Sequence, residues 1–177
     1  MRIITGKYKG RHFDIPRGFK ARPTTDFAKE NLFNVLSGML DFEGVATLDL
    51  FSGTGGISME LLSRGCATAT MVEADREHAA FIRECIDRLG ADNARVVRGD
   101  AFVFIRHAKE QYGFVFADPP YSLPRLAEVP GLVLSSGLVE KGGVFVMEHG
   151  AKDDFSRLPQ FVERRAYGSV NFSIFRA

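Results

Sequence analysis

Cysteine is scarce: Cys66 and Cys85 are the only two in 177 residues. They make no disulfide framework, and no Cys/His cluster carries metal-ligand spacing. The four histidines, His12, His78, His107 and His149, are scattered along the chain, so no metal site is expected. Long apolar runs are also missing; none approaches the roughly 20 residues that cross a bilayer. The opening Met1-Arg2-Ile3-Ile4-Thr5-Gly6-Lys7 lacks the apolar core of a secretory signal. Together these absences predict a protein of the reducing cytoplasm with no membrane partner. There is no internal repeat, no low-complexity tract and no Gly-x-x-x-x-Gly-Lys-Ser/Thr loop, which disfavours ATP. The composition, 45% hydrophobic and 25% charged, is that of a globular chain long enough for one good-sized core.

Charge is nearly balanced overall, at net +1, but it is unevenly placed. Residues 1–22 hold Arg2, Lys7, Lys9, Arg11, Arg17, Lys20 and Arg22 against Asp14 alone, leaving the rest of the chain net acidic. A basic arm on an acidic body points to a polyanionic partner; the alternative is a solvated surface segment. Partial alternation in 2–5 and 11–15, with Gly6 and Gly10 around Lys7-Tyr8-Lys9, predicts a β-hairpin. Its loop would offer cations to phosphates and Tyr8 to a base, unless Tyr8 simply packs on the body.

Pro16 to Pro23 reads as a linker. Thr24-Thr25-Asp26 then offers caps for a helix with Ala28, Leu32, Val35, Leu36, Met39 and Leu40 on one face. From there strands and helices alternate. Val45–Phe51 is the first central strand; it opens into Ser52-Gly53-Thr54-Gly55-Gly56 and the helix Ile57–Ser63. Strand, glycine turn and helix form a nucleotide-binding unit, although Ser58 stands where a dinucleotide fingerprint has its third glycine. A second strand ends at Glu73, 20 residues after Gly53, where an acid accepts from ribose hydroxyls. The helix Arg76–Leu89 follows, burying Cys85 as core rather than as a reactive thiol. Next come the strand Ala94–Arg98, Asp100, and the helix Ala101–Lys109. Asp100 can cap that helix or accept from an adenine amino group. Beyond the fourth strand, Pro124–Leu134 includes a helix that Pro130 should break or kink. Gly142–Glu148 is a fifth strand, and Phe161–Tyr167 with Ser169–Phe175 form a closing hairpin. The expected fold is α/β, a mostly parallel seven-stranded sheet with helices on both faces and an antiparallel C-terminal hairpin.

The fourth strand carries the sharpest signal. Phe114-Val115-Phe116-Ala117 is a buried run that passes directly into Asp118-Pro119-Pro120-Tyr121. Neither proline can donate to a ladder, so the chain leaves the sheet as a stiff arm holding a carboxylate, free carbonyls and an aromatic ring. Such an arm suits a flat molecule with an exposed amino group. An ordinary strand exit is the structural alternative. Asp49, Gly53, Glu73, Asp100 and Asp118 all fall at carboxyl ends of strands, where sheets of this kind bind ligands. Several acids and no phosphate lysine favour an adenosine that carries positive charge.

At this point the chain resembles the Rossmann-like S-adenosylmethionine-dependent methyltransferases. More closely it resembles the RsmD family of 16S ribosomal RNA guanine-N2 methyltransferases. The marks are Met1-Arg2-Ile3-Ile4 with Gly6-Lys7-Tyr8-Lys9-Gly10, Arg22-Pro23-Thr24 with Asn31-Leu32-Phe33-Asn34, Leu48 to Gly55, Glu60 with Leu62-Ser63-Arg64-Gly65, Asp118-Pro119-Pro120-Tyr121, and Tyr167-Gly168. The resemblance implies a basic arm at 1–22 and a methyltransferase domain at 23–177. It also implies that Asp49, Phe51, Ser52, Gly53 and Gly55 hold the methionine part of S-adenosylmethionine, that Glu73 takes the ribose, and that Asp100 and Ala101 frame the adenine. Asp118, Pro119, Pro120 and Tyr121 would receive the target base, with Lys7, Tyr8, Lys9, Arg11 and Arg22 on ribosomal RNA within the small subunit or a precursor of it. Ser52 and Thr54 stand where the family usually has Ala and Ser, Gly56-Ile57-Ser58 departs from its usual run, and the segment after Tyr121 is short. A DNA amino-methyltransferase shares the tetrapeptide but needs a target-recognition region that is absent here. A protein glutamine methyltransferase usually has Asn at position 118. A non-catalytic RNA-binding scaffold is the rival from another class.

Overall fold

The computed structural model describes residues 1–177. After an N-terminal turn the elements are α1 (Asp26–Leu36), β1 (Ala46–Leu50), α2 (Gly56–Ser63), β2 (Thr68–Glu73), α3 (Arg76–Leu89), β3 (Ala94–Arg98), α4 (Ala101–His107), β4 (Tyr112–Ala117), a 3-10 turn (Leu126–Glu128), α5 (Val129–Ser135), β5 (Val139–His149), β6 (Phe161–Tyr167) and β7 (Val170–Arg176). They form one seven-stranded sheet in the order β3-β2-β1-β4-β5-β7-β6. β1 to β5 run parallel, and β7 and β6 close the edge antiparallel. Strand order reverses between β1 and β4, which opens a crevice at their carboxyl ends.

β4 is buried along its whole length because both faces of the sheet are covered, as a parallel sheet requires. Its residues alternate between the two layers. Phe114 and Phe116 join a core of 26 buried residues that includes Leu32 and Phe33 of α1, Leu61 of α2 and Ile82 of α3. Val115 and Ala117 join a second core of 18 with Phe102 and Ile105 of α4 and Val129 and Val133 of α5. Truncating Phe33, which is fully buried, to Ala costs about 3–5 kcal/mol.

Thr25 caps α1 by accepting from the Ala28 N–H at 3.2 Å. The helix ends at Leu36, short of the expected Leu40: the Ser37 N–H still reaches the Phe33 carbonyl, but the Gly38 and Met39 N–H groups bond only three residues back, to Val35 and Leu36. α4 stops at His107 rather than Lys109, where Ala108 turns extended. Pro130 breaks nothing: it sits in the first turn of α5, where a missing N–H removes no helical bond. β5 begins earlier than expected, at Val139, and its register to β4 shifts around Gly113 and the Gly142–Gly143 pair.

The N-terminal hairpin is closed by a single bridge, Arg2 to His12, rather than by two full strands. It does not stand free. Ile3 and Phe13 are in the core, and the segment is bolted to α2. The fully buried Glu60 carboxylate accepts from the N–H groups of Ile4 and Thr5 at 2.9 and 3.0 Å and from Arg64 Nε at 3.1 Å. The buried Lys29 ammonium lies 3.6 Å away. The Ser63 hydroxyl accepts from the Tyr8 N–H at 2.9 Å, and the Ser63 carbonyl accepts from the Lys7 N–H at 2.9 Å. Gly6, at φ +86°, lies so close that a Cβ there would fall 1.9 Å from the Ser63 carbonyl oxygen.

Candidate active site

Four strands of the sheet end in acids on one edge: Glu73 on β2, Asp49 on β1, Asp118 just past β4 and Glu148 on β5. Asp49 is 2% exposed, and its Oδ2 accepts from the Ser58 hydroxyl at 2.8 Å. Ser58, which the dinucleotide fingerprint did not explain, is thus the partner of this carboxylate. Burial pushes Asp49 up to about 7, the Ser58 bond opposes the shift, and the Glu73 charge adds to it. No cation of the protein neutralises it.

The turn after β1 is held in unusual backbone geometry. Phe51 has φ +61°, the one non-glycine residue with positive φ, at a cost of about 1–3 kcal/mol. Its ring sits edge-on to Phe102 of α4 at 6.0 Å. Gly53 and Gly55 also have positive φ, and Gly55 precedes the first turn of α2 as its cap residue. The Ser52 hydroxyl is used internally, toward the Asp49 and Val72 carbonyls at 2.8 and 3.2 Å. Glu73 accepts from the Gly53 N–H at 2.7 Å and from the Asp75 N–H at 2.8 Å. Asp100 caps α4 by accepting from the Val103 N–H at 2.9 Å, so of its two alternative roles the capping one is realised within the protein. Ala101 behind it is buried.

Asp118 is half-buried. Its N–H donates to the Leu50 carbonyl at 3.2 Å, fixing it beside the glycine turn. Its carboxyl group accepts from no donor in the chain. Burial raises its pKa well above the ordinary carboxylate range, and the neighbouring charges of Glu148 and Asp49 raise it further. Of the two proline carbonyls, that of Pro120 accepts from the Leu123 N–H at 2.8 Å, while that of Pro119 has no partner. The Tyr121 ring is 49% exposed. Its hydroxyl points to Glu148 Oε1 at 3.3 Å, and burial followed by the charges of Glu148 and Asp118 raises its pKa.

Two features of the site go beyond the sequence motifs. Glu148 is the penultimate residue of β5, at the same carboxyl edge as the other acids, which is the one signal in the sequence that marks it. The linker Pro16–Pro23 with Thr24 crosses the crevice as a strap. Phe19 packs against His78 with the rings tilted at 41° and their centres 4.6 Å apart, next to Glu73. Ala21 lies over Gly53, its Cβ 3.3 Å from where a Cβ on that glycine would be. Thr24 donates to Glu148 Oε2 at 3.0 Å.

The basic residues divide. Lys7, Lys9 and Arg22 are exposed and form no ion pair. Arg11 is engaged, donating to the Arg88 carbonyl at the end of α3 at 2.7 Å. Tyr8 is half-buried and packs on the core, with Lys7 Nζ 4.8 Å from its ring centre. Cys66 and Cys85 are buried, and burial raises both thiols, Cys85 to about 12, as suits core residues.

A nucleotide-type turn, an acid at the tip of β2 and unpaired buried carboxylates at the switch point fit a cationic adenosine. The fold and the site define a Rossmann-like S-adenosylmethionine-dependent methyltransferase. The chain belongs to the family described as conserved hypothetical protein 95, the RsmD family, which matches residues 1–176. It is 33% identical over 159 residues to ribosomal RNA small subunit methyltransferase D of Escherichia coli, covering 90% of this chain and 79% of the relative. It is also 33% identical to YlbH of Bacillus subtilis, named as a candidate rRNA methyltransferase, over 99% of this chain and 98% of that one. Among solved structures, a hypothetical protein of Thermus thermophilus superposes with a TM-score of 0.87 at 35% identity, covering 100% of this chain and 99% of the other.

Proposed function

We propose that the protein transfers a methyl group from S-adenosylmethionine to the exocyclic N2 amino group of a guanine in small-subunit ribosomal RNA. The observation that carries this reading is Asp118. Its carboxyl group sits at the switch point with no donor in the chain, beside an unpartnered Pro119 carbonyl and a half-exposed Tyr121 ring. Together they offer acceptors for an aryl amine and a surface for the ring that bears it.

When bound, the cofactor supplies a methyl group already activated by its positive sulfur. Asp49, Glu73 and the Gly53–Gly55 turn bind and orient it, with Asp100 and Ala101 beside the adenine. The target nitrogen is a poor nucleophile because its lone pair is delocalised into the purine. Asp118 and the Pro119 carbonyl accept its two N–H bonds, favour the pyramidal form and direct the lone pair at the methyl group. Positioning of this kind lowers the barrier by converting an encounter into a held approach. Asp118 is held in its ionised form, against the effect of burial, by the positive charge of the bound cofactor; that carboxylate then favours the positive charge that develops on nitrogen, and the proton leaves to water. Tyr121 stacks on the base, which must be unpaired or extruded to reach it. Lys7, Lys9 and Arg22 hold phosphates outside the crevice; Tyr8 and Arg11 shape the hairpin that presents them.

The test is to offer labelled methyl donor with small subunits, naked 16S rRNA, tRNA and DNA. Label on one ribosomal guanine supports the reading. Label on DNA or another RNA points to a different amino-methyltransferase, and label on nothing, with cofactor still bound, to a scaffold.

A further inference from the structure

The acid row contains one member with no assigned duty, Glu148. β4 and β5 are parallel, with Ala117 opposite Met147, so Asp118, just past the end of β4, lies beside Glu148, which is still within β5. Phe116 and Val146, two residues earlier on each strand, both belong to the core on the α1–α2 face. Alternation therefore places the two carboxyl groups on that same face. Glu148 is 5% exposed, and only two hydroxyls serve it. Thr24 donates to Oε2 at 3.0 Å and Tyr121 to Oε1 at 3.3 Å; the second is long for an O–H···O bond. No lysine, arginine or backbone N–H reaches it. A carboxylate can accept about four hydrogen bonds, so this one is under-served, and its neighbour Asp118 is not served at all. Two adjacent carboxyl groups, one buried and one half-buried, are costly without a cation. A ligand that brings two adjacent N–H donors relieves both at once.

Resting on the guanine reading above, we infer that Glu148 selects the base: it accepts the N1–H of the target purine while Asp118 accepts from the exocyclic amine. The chemistry of the base edges supports the choice. Guanine carries N1–H directly beside its N2 amine. Adenine and cytosine carry a bare ring nitrogen beside theirs, so either would set a lone pair against the Glu148 carboxylate and leave it unpaired. A site built to hydrogen-bond one group rejects analogues lacking it by factors that reach about 10⁴–10⁵. Tyr121 shares Glu148 with the base, which couples the stacking plate to the reading of the base edge.

The experiment uses small subunits reconstituted with 16S rRNA in which the target guanine is replaced by 2-aminopurine. That base keeps the amine but has a lone pair at N1. The wild-type protein should prefer guanine over 2-aminopurine in kcat/KM by about 100-fold or more. E148Q should lose activity on guanine and reduce the preference to below about 10-fold, because the amide NH2 can donate to the bare N1. Unchanged cofactor affinity certifies that the variant is folded. Y121F, which keeps the carboxylate, should lower both activities by the same factor. If E148Q lowers both substrates equally and the preference persists, Glu148 only props Tyr121 and the inference is overturned. If the wild-type protein labels no guanine in the natural subunit, it is the proposed reaction that fails.

Discussion

The N–H of Gly53 donates to Glu73 Oε2 at 2.7 Å, tying the turn after β1 to the tip of β2. The same carboxylate reaches the Asp75 N–H at the start of α3. The acid proposed to take the ribose therefore also sets the shape of the glycine turn. E73A should weaken S-adenosylmethionine binding strongly and cost about 1–3 kcal/mol of stability, since it leaves two N–H groups unserved. E73Q, which keeps one acceptor, should fall between. Calorimetric titration and thermal unfolding check the two effects.

On the proposed reading, Asp49 should make cofactor binding depend on pH. Its unfolded pKa is near 3.8 and burial raises the folded one to about 7. Between those values the native state holds more protons than the unfolded one, so stability falls as pH rises through this window. A cationic ligand favours the ionised form, so binding should release protons near neutrality and tighten as pH rises toward about 8. D49N should be more stable than the wild type above the window, lose that advantage below it, and bind cofactor with a weaker pH dependence, the remainder coming from Asp118. Titrations in buffers of different ionisation enthalpy measure the proton count; no proton release would remove Asp49 from this role.

The hairpin stands or falls with α2. G6A drives a Cβ into the Ser63 carbonyl at a φ that already disfavours alanine. E60A leaves Lys29 and Arg64 without their buried counter-charge, a loss of about 3–5 kcal/mol. Both should lower the thermal midpoint and expose residues 1–15 to protease. Retained midpoint and protection would show that the hairpin is not a structural part of the domain.

K7A/K9A should weaken binding to small subunits and reduce the salt dependence of that binding by up to about two counterions. Cofactor affinity should stay at the wild-type value and the thermal midpoint close to it, because both side chains are exposed and in no ion pair, and the Lys7 contact with the Tyr8 ring is worth only about 0.5–1 kcal/mol at an exposed site. A salt-dependent binding series distinguishes this from a general loss of fold.

Much of this was legible in the sequence for physical reasons. The run Phe114–Ala117 stopped by two prolines could hardly be anything but a buried strand leaving its sheet. The strand, glycine turn and helix of 45–63 marked the carboxyl edge of the sheet, and spacing alone placed Glu73 at the tip of β2 beside that turn. Other parts depend on residues distant in the chain. Glu148 lies 124 positions from the Thr24 that holds it, and Ser58 acquires meaning only when α2 lies against Asp49. Glu60 shows its duty only once the hairpin is docked upon it. Pro130 misled because a proline is tolerated in the first turn of a helix, and local pattern does not reveal where that turn begins.

The most direct measurement is mass-spectrometric mapping of methylated nucleosides in small subunits treated with the wild-type protein and with D118A. The account predicts N2-methylguanosine at a single position with the wild type. D118A should produce none, although it binds S-adenosylmethionine. Full methylation by D118A, or a methyl group found on a base other than guanine, would contradict it.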